Sequence, residues 1–85
     1  MKIEIFYCAA WDFKPQAAGL SAEINKALKA TVRLVPGSNG IFNVVADGKL
    51  LFSRDEIGRF PEPGEIVAKL NREADWFENA QPYAL

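Results

Sequence analysis

Histidine is absent from this 85-residue chain, and cysteine and methionine occur once each. Without imidazole and with a single thiol, the ordinary zinc and copper ligand sets are missing, and no internal disulfide can form. Charge of one sign is lacking too. Ten Lys and Arg stand against eleven Asp and Glu, a net charge of −1, which argues against the basic face of a nucleic-acid binder and against a polybasic membrane anchor. Apolar runs extend only a few residues, far short of the roughly 20 that a spanning helix needs. Lys2 and Ile3 already belong to an alternating pattern, so no signal peptide is expected before the fold. The expectation is a cytoplasmic protein with no nucleic-acid partner, no membrane partner, no metal and no resident cofactor.

What is present suits one small domain spanning residues 1–85. Its apolar share of 49% and charged share of 25% are ordinary globular values. Ile3, Ile5 and Tyr7 alternate with Lys2, Glu4 and Phe6, which predicts a strand over 2–7. Pro15 suits the first turn of a helix, and Ala17, Leu20, Ile24, Ala27 and Leu28 follow at helical spacing, predicting a helix over 15–29. Gly19 inside it costs about 1 kcal/mol relative to alanine. Residues 31–35 read as a second strand ended by Pro36-Gly37-Ser38-Asn39-Gly40. Two β-rich runs, 41–46 and 49–53, are joined by Asp47-Gly48, the pair that a two-residue type I′ hairpin demands. A second helix is expected over 62–71. Strand, helix, strand, hairpin and helix in that order imply an α/β (α+β) fold with a four-stranded mixed sheet, its first two strands parallel.

Chemistry is concentrated where the first strand runs out. Tyr7-Cys8-Ala9-Ala10-Trp11-Asp12-Phe13-Lys14-Pro15 has the layout of a strand–CxxC–helix redox loop with an indole in place of the second sulfur. A thiolate is the nucleophile in thiol–disulfide exchange, and a second sulfur must resolve the mixed disulfide. Two-thiol chemistry within this chain is therefore excluded. A helix amino end and Lys14 would favour the thiolate of Cys8, and Asp12 would oppose it. The alternative for Cys8 is a small apolar residue capping a strand. Trp11 is either a cover for the helix start or, with Phe13, an apolar contact patch. Ser38 and Asn39, in a turn able to reach the Cys8 loop, are candidates for contacting a peptide or glutathione backbone, although a plain strand connection explains them as well.

These residues resemble a known family. The Cys8–Pro15 segment is similar to the selenoprotein W, or Rdx, signature, a Cys-x-x-Sec or Cys-x-x-Cys loop followed by an aromatic residue and Lys-Pro. Gly40-Ile41-Phe42-Asn43-Val44 resembles that family's Gly-x-Phe-x-Val strand. Gly48-Lys49-Leu50-Leu51-Phe52-Ser53 and Gly58-Arg59-Phe60-Pro61 resemble its hairpin arm and following loop, so the likeness spans residues 2–71. The resemblance implies a thioredoxin-like fold and a thiol oxidoreductase, some members being linked to glutathione as co-substrate. It places the nucleophile at Cys8 and the second redox position at Trp11, which itself carries no reactive group. Binding residues would be Phe13, Lys14, Ser38 and Asn39, and the substrate a thiol or protein disulfide.

Several readings of Trp11 stay open. Its codon, UGG, lies one base from UGA, which encodes selenocysteine in that family, so the chain would be a substituted version of a selenoprotein. Alternatively it is a monothiol protein that cycles through a glutathione adduct. A third reading is a non-catalytic interaction module that uses the Cys8–Phe13 loop. In the acidic C-terminal third no opposed carboxylate pair is legible. Trp76 and Phe77, in the tail 72–85, are expected to dock on the domain or to join a second copy of the chain.

Overall fold

The computed structural model describes residues 1–28 and 30–72. Its elements are β1 (Lys2–Cys8), α1 (Lys14–Ala27), β2 (Thr31–Gly37), β3 (Phe42–Ala46), β4 (Lys49–Ser53) and α2 (Arg54–Ile57). Helical backbone returns at residues 65–72, here α3. The expected tail residues Trp76 and Phe77 lie outside the described residues. Strand order is β2-β1-β3-β4. β1 runs parallel to β2 and antiparallel to β3, and β3 pairs antiparallel with β4. This is the mixed four-stranded sheet that the element order implied.

Alternation along the strands builds the core. Ile3, Ile5 and Tyr7 on β1 and Phe42, Val44 and Ala46 on β3 are all buried, with Ile5 directly opposite Val44. Ala17, Leu20 and Ile24 from α1 join them, as do Ile66 and Leu70 from α3. The Asp47-Gly48 hairpin forms as read, with positive φ of 49° and 84° at its two central residues. Two hydrogen bonds tie that turn to the start of β1. Lys2 N–H donates to Asp47 Oδ1 and Asp47 N–H donates to the Lys2 carbonyl, each at 2.8 Å.

Several boundaries differ from the sequence reading. β1 includes Cys8, which pairs with Gly37 across the sheet. α1 starts at Lys14, one residue earlier, and ends at Ala27. β2 runs on through Pro36 and Gly37 instead of ending before them. It is an edge strand, where the missing proline N–H removes no ladder bond. The last helix starts at 65 rather than 62, after a turn at Pro63-Gly64. There Glu65 reaches back to accept the Glu62 N–H at 2.9 Å, one half of a capping box. The short α2 was not anticipated. Asp55 and Glu56 occupy its first turn, and Gly58 ends it at φ 88° with its N–H donating to the Arg54 carbonyl.

Ile5 sits in a central strand with no solvent exposure. Ile5→Ala is expected to cost about 2–5 kcal/mol and Ile5→Val about 0.5–1.5 kcal/mol, read from urea midpoints. Equal midpoints for the two variants would contradict a close-packed core at this position.

Candidate functional site

β2 and β3 are separated by β1, so residues 38–41 must cross the carboxyl end of β1 to connect them. Residues 9–13 leave from the same end. Cys8 is the last residue of β1 and stands where these two loops meet. Its N–H donates to the Ile41 carbonyl at 2.8 Å, and its carbonyl accepts the Phe13 N–H at 3.1 Å. Ala9 N–H donates to the Gly37 carbonyl at 3.4 Å. The backbone on both sides of the thiol is therefore held by both loops.

The thiol itself is enclosed. Cys8 has no solvent exposure and belongs to the hydrophobic core. Of the two sequence readings, the burial is that of a small apolar residue at a strand end, and the thiol is not presented to solvent. The curl of the first loop also answers how a helix beginning at Lys14 comes near Cys8. Asp12 N–H donates to the Ala9 carbonyl at 3.1 Å and Asp12 takes a positive φ of 60°, which turns the chain back on itself.

Trp11 lies on top. Its side chain is 58% exposed, yet one part of the ring is seated on Gly40 of the crossing loop. A β-carbon at Gly40 would come within 2.5 Å of Trp11 Cζ3, and the glycine has a φ of +74° that side chains rarely adopt. Asn39, at φ 59°, precedes it, and Ile41 N–H donates to the Ser38 carbonyl at 3.2 Å. Positive φ at both central positions makes Ser38–Ile41 a type I′ turn. Asn39 is therefore the residue that shapes the turn, and Asn39 and Ser38 are both exposed beside the Trp11 seat.

Below Trp11 runs a ladder of perpendicular rings. Trp11 meets Phe13 at 5.9 Å between centroids, Phe13 meets Phe60 at 4.8 Å, and Phe60 meets Phe42 at 5.1 Å. Interplanar angles of 82–87° give the edge-to-face arrangement that the ring quadrupoles favour. Phe13 was expected to contact a ligand but is buried inside this ladder, whereas Lys14 is exposed. The guanidinium of Arg54 lies over both Phe13 and Phe60, 5.1 and 5.0 Å from their centroids. Sequence reasoning overlooked Arg54, Phe60 and Gly40 as members of the site. No local signal pointed to them: the arginine next to Phe60 in sequence, Arg59, pairs with Glu65, and the one over the ring, Arg54, is six residues away.

Arg59 holds that loop. Its guanidinium donates to both carboxylate oxygens of Glu65, at 2.7 and 3.3 Å. The bond from Arg59, together with the Glu62 N–H, holds Glu65 below the usual carboxylate range, and the same bond raises Arg59. A carboxyl group with a lowered folded-state value adds stability above its unfolded value and loses it as pH falls through the folded one. The pair is solvent-accessible, so the effect is small.

Two outcomes are expected. Gly40→Ala should destabilise the fold by about 1–3 kcal/mol in thermal denaturation, through the strained φ and the blocked indole. In a Trp11→Ala background the same change should cost less, because only the backbone strain remains. Equal costs in both backgrounds would mean that the indole does not rest on Gly40. Second, Glu65→Gln should melt slightly below the parent at neutral pH and converge with it as pH falls through the carboxylate range. Curves that stay parallel across that range would show that the Arg59 pair does not set the pH dependence.

The Rdx family matches over residues 2–72. The fold resembles the crystal structure of a selenoprotein W-related protein from Vibrio cholerae, with a TM-score of 0.80 and 27% identity, covering 84% of this chain and 92% of that one. It also resembles a crystal structure from Bordetella parapertussis, with a TM-score of 0.79 and 29% identity, covering 85% of this chain and 95% of that one. No curated protein sequence matches. A match over most of the chain, with the same mixed sheet, shows that the protein belongs to the Rdx family and is a selenoprotein W-like protein of redox type with a thioredoxin-like fold.

Proposed function

We propose that the protein is a cytoplasmic single-sulfur thiol redox protein, with glutathione as co-substrate, whose Cys8 reacts only when the two loops above it part. One observation carries this reading: the only thiol stands in the motif that resembles the family's and is fully enclosed, beside loops that touch through Trp11 on Gly40. Enclosure blocks bimolecular attack in the closed form, so turnover is limited by the population of the open one.

Once open, Cys8 loses its proton to solvent and the thiolate attacks the glutathione sulfur of a protein–glutathione mixed disulfide. A Cys8–glutathione disulfide forms and the substrate thiolate leaves, reduced. A free glutathione thiolate then attacks the glutathione sulfur of the Cys8 adduct, which regenerates the Cys8 thiolate and releases glutathione disulfide, the oxidised product. Trp11 cannot take the place of that second thiol, because indole neither attacks nor forms a disulfide. On this reading Ser38 and Asn39, exposed on the crossing loop, would contact the glutathione backbone, and Lys14, also exposed, its carboxylates.

A second reading rests on a different observation. Trp11 offers a large exposed aromatic surface already held by Gly40 and Phe13, the kind of preorganised anchor that protein interfaces use. On that reading the loop is an interaction module without thiol chemistry.

Incubation with glutathione disulfide, followed by intact mass, separates the two. The expected result is a slow adduct that Cys8→Ser abolishes and that forms about tenfold faster in Trp11→Ala, since one aromatic contact is worth roughly 0.5–1.5 kcal/mol. No adduct in either the parent or Trp11→Ala, under conditions that modify the denatured chain, would leave the interaction module.

A further inference from the structure

On the face beside the aromatic ladder, α1 and the 60–63 loop enclose an open groove of about 200 Å³. That is smaller than the roughly 300–1,000 Å³ of a cofactor-sized pocket, and it is enough for one or two side chains. Its floor is Leu20, Phe42 and Phe60. Pro15, Pro61 and Pro63 form the walls, so their backbone is stiff before anything binds. Glu23 and Glu62 stand at the margin, and among the described residues no cation lines it.

Two further observations concern those walls. Gly19 lies in the middle of α1 and lines the groove, and a β-carbon placed on it would meet nothing within 4 Å. A helix-interior glycine costs about 1 kcal/mol relative to alanine, and no packing, turn or positive φ in the described fold requires one here. What it does is hold the groove open. The carboxylates are the second observation. Glu23 accepts the Gly64 N–H with one oxygen, at 2.9 Å, which straps the loop to α1. Glu62 makes no side-chain hydrogen bond or ion pair among the described residues, and Arg59, which feels its charge, is hydrogen-bonded to Glu65 instead. The margin therefore carries two carboxylates next to an apolar floor.

We infer that this groove is a docking site for an extended peptide segment of a partner protein, one that carries an apolar side chain beside a lysine or arginine. The apolar side chain fills the space above Leu20, Phe42 and Phe60, and the cation lies between Glu23 and Glu62. The peptide backbone passes over Gly19, where no side chain obstructs it, with the Gln16 amide beside it. Phe60 is shared between the groove floor and the ladder that ends at Trp11. A docked chain is thus held next to the loops over Cys8. The inference does not depend on thiol chemistry, and its readout contains none.

The test is a ¹H–¹⁵N titration of the full chain with three heptapeptides, each presenting Lys-Arg beside a leucine, a proline or a phenylalanine. Matched peptides with the basic pair replaced by glutamate are the comparison. At least one basic peptide is expected to shift the Gly19 and Gly64 amides, and its glutamate counterpart to leave them in place. Gly19→Leu, whose β-carbon would meet nothing within 4 Å, adds bulk at the groove and should weaken binding about tenfold, while its thermal midpoint stays at or above that of the parent. Glu23→Gln with Glu62→Gln keeps an oxygen for the Gly64 N–H and should weaken binding about fivefold, with most of the salt dependence lost. No shift with any basic peptide at millimolar concentration, equal binding of the glutamate peptides, or unchanged affinity in a folded Gly19→Leu variant would each overturn the inference.

Discussion

Because β1 lies between β2 and β3, the chain leaving β2 has to pass over the carboxyl end of β1 before it can begin β3. Everything at the candidate site follows from that crossing. The crossing loop is only a few residues long, so it turns tightly, with Asn39 and Gly40 both at positive φ. The loop leaving β1 is equally short and doubles back through Asp12. Two tight loops over one strand end leave no opening for the residue beneath. Cys8 is buried by topology as much as by its own apolar character.

The contact between the loops is unusually dependent on one atom that is missing. Gly40 has no β-carbon, and the Trp11 ring occupies the place where it would be. From there the rings of Phe13, Phe60 and Phe42 carry the packing down to the sheet. Arg54 closes the arrangement from the side over Phe13 and Phe60, while its Nε is buried without a hydrogen-bond partner among the described residues. An unpaired buried N–H normally costs about 1–3 kcal/mol. The cation–π contacts with two rings offset part of that cost, and they explain why α2, only four residues long, sits against the site at all.

Much of this fold was legible in the sequence because its signals are local. Alternation in Ile3, Ile5 and Tyr7, the helical spacing of Ala17, Leu20 and Ile24, and Asp47-Gly48 each specify structure within a few residues. The misreadings have a common cause. Pro36 reads as a strand terminator unless β2 is known to be an edge strand, and the burial of Cys8 cannot be seen without knowing which strand is central. Asn39-Gly40 carries the same type I′ signal as Asp47-Gly48, but it does not join two neighbouring strands, so it resembled a plain connection. Arg54 and Phe60 become neighbours of Phe13 only through long-range packing, which no short window of sequence contains.

The same geometry bears on how the Cys8–Trp11 loop divides its labour. Of its two key positions, the first is fully enclosed and the second is more than half exposed. In a two-sulfur version of such a loop, solvent access would favour initial attack from the second position, and the first would resolve the adduct from below. This chain keeps sulfur at the inner position and indole at the outer one. Its only thiol is thus the one that the fold least readily presents to a partner. On the proposed reading, reactivity at Cys8 would be governed first by the free energy of parting the loops, to which the Trp11–Gly40 contact contributes, and only then by the thiolate fraction. The aromatic residue at the outer position would then act as a lid rather than a lost catalyst, with its exposed face turned to any partner approaching that end of the sheet.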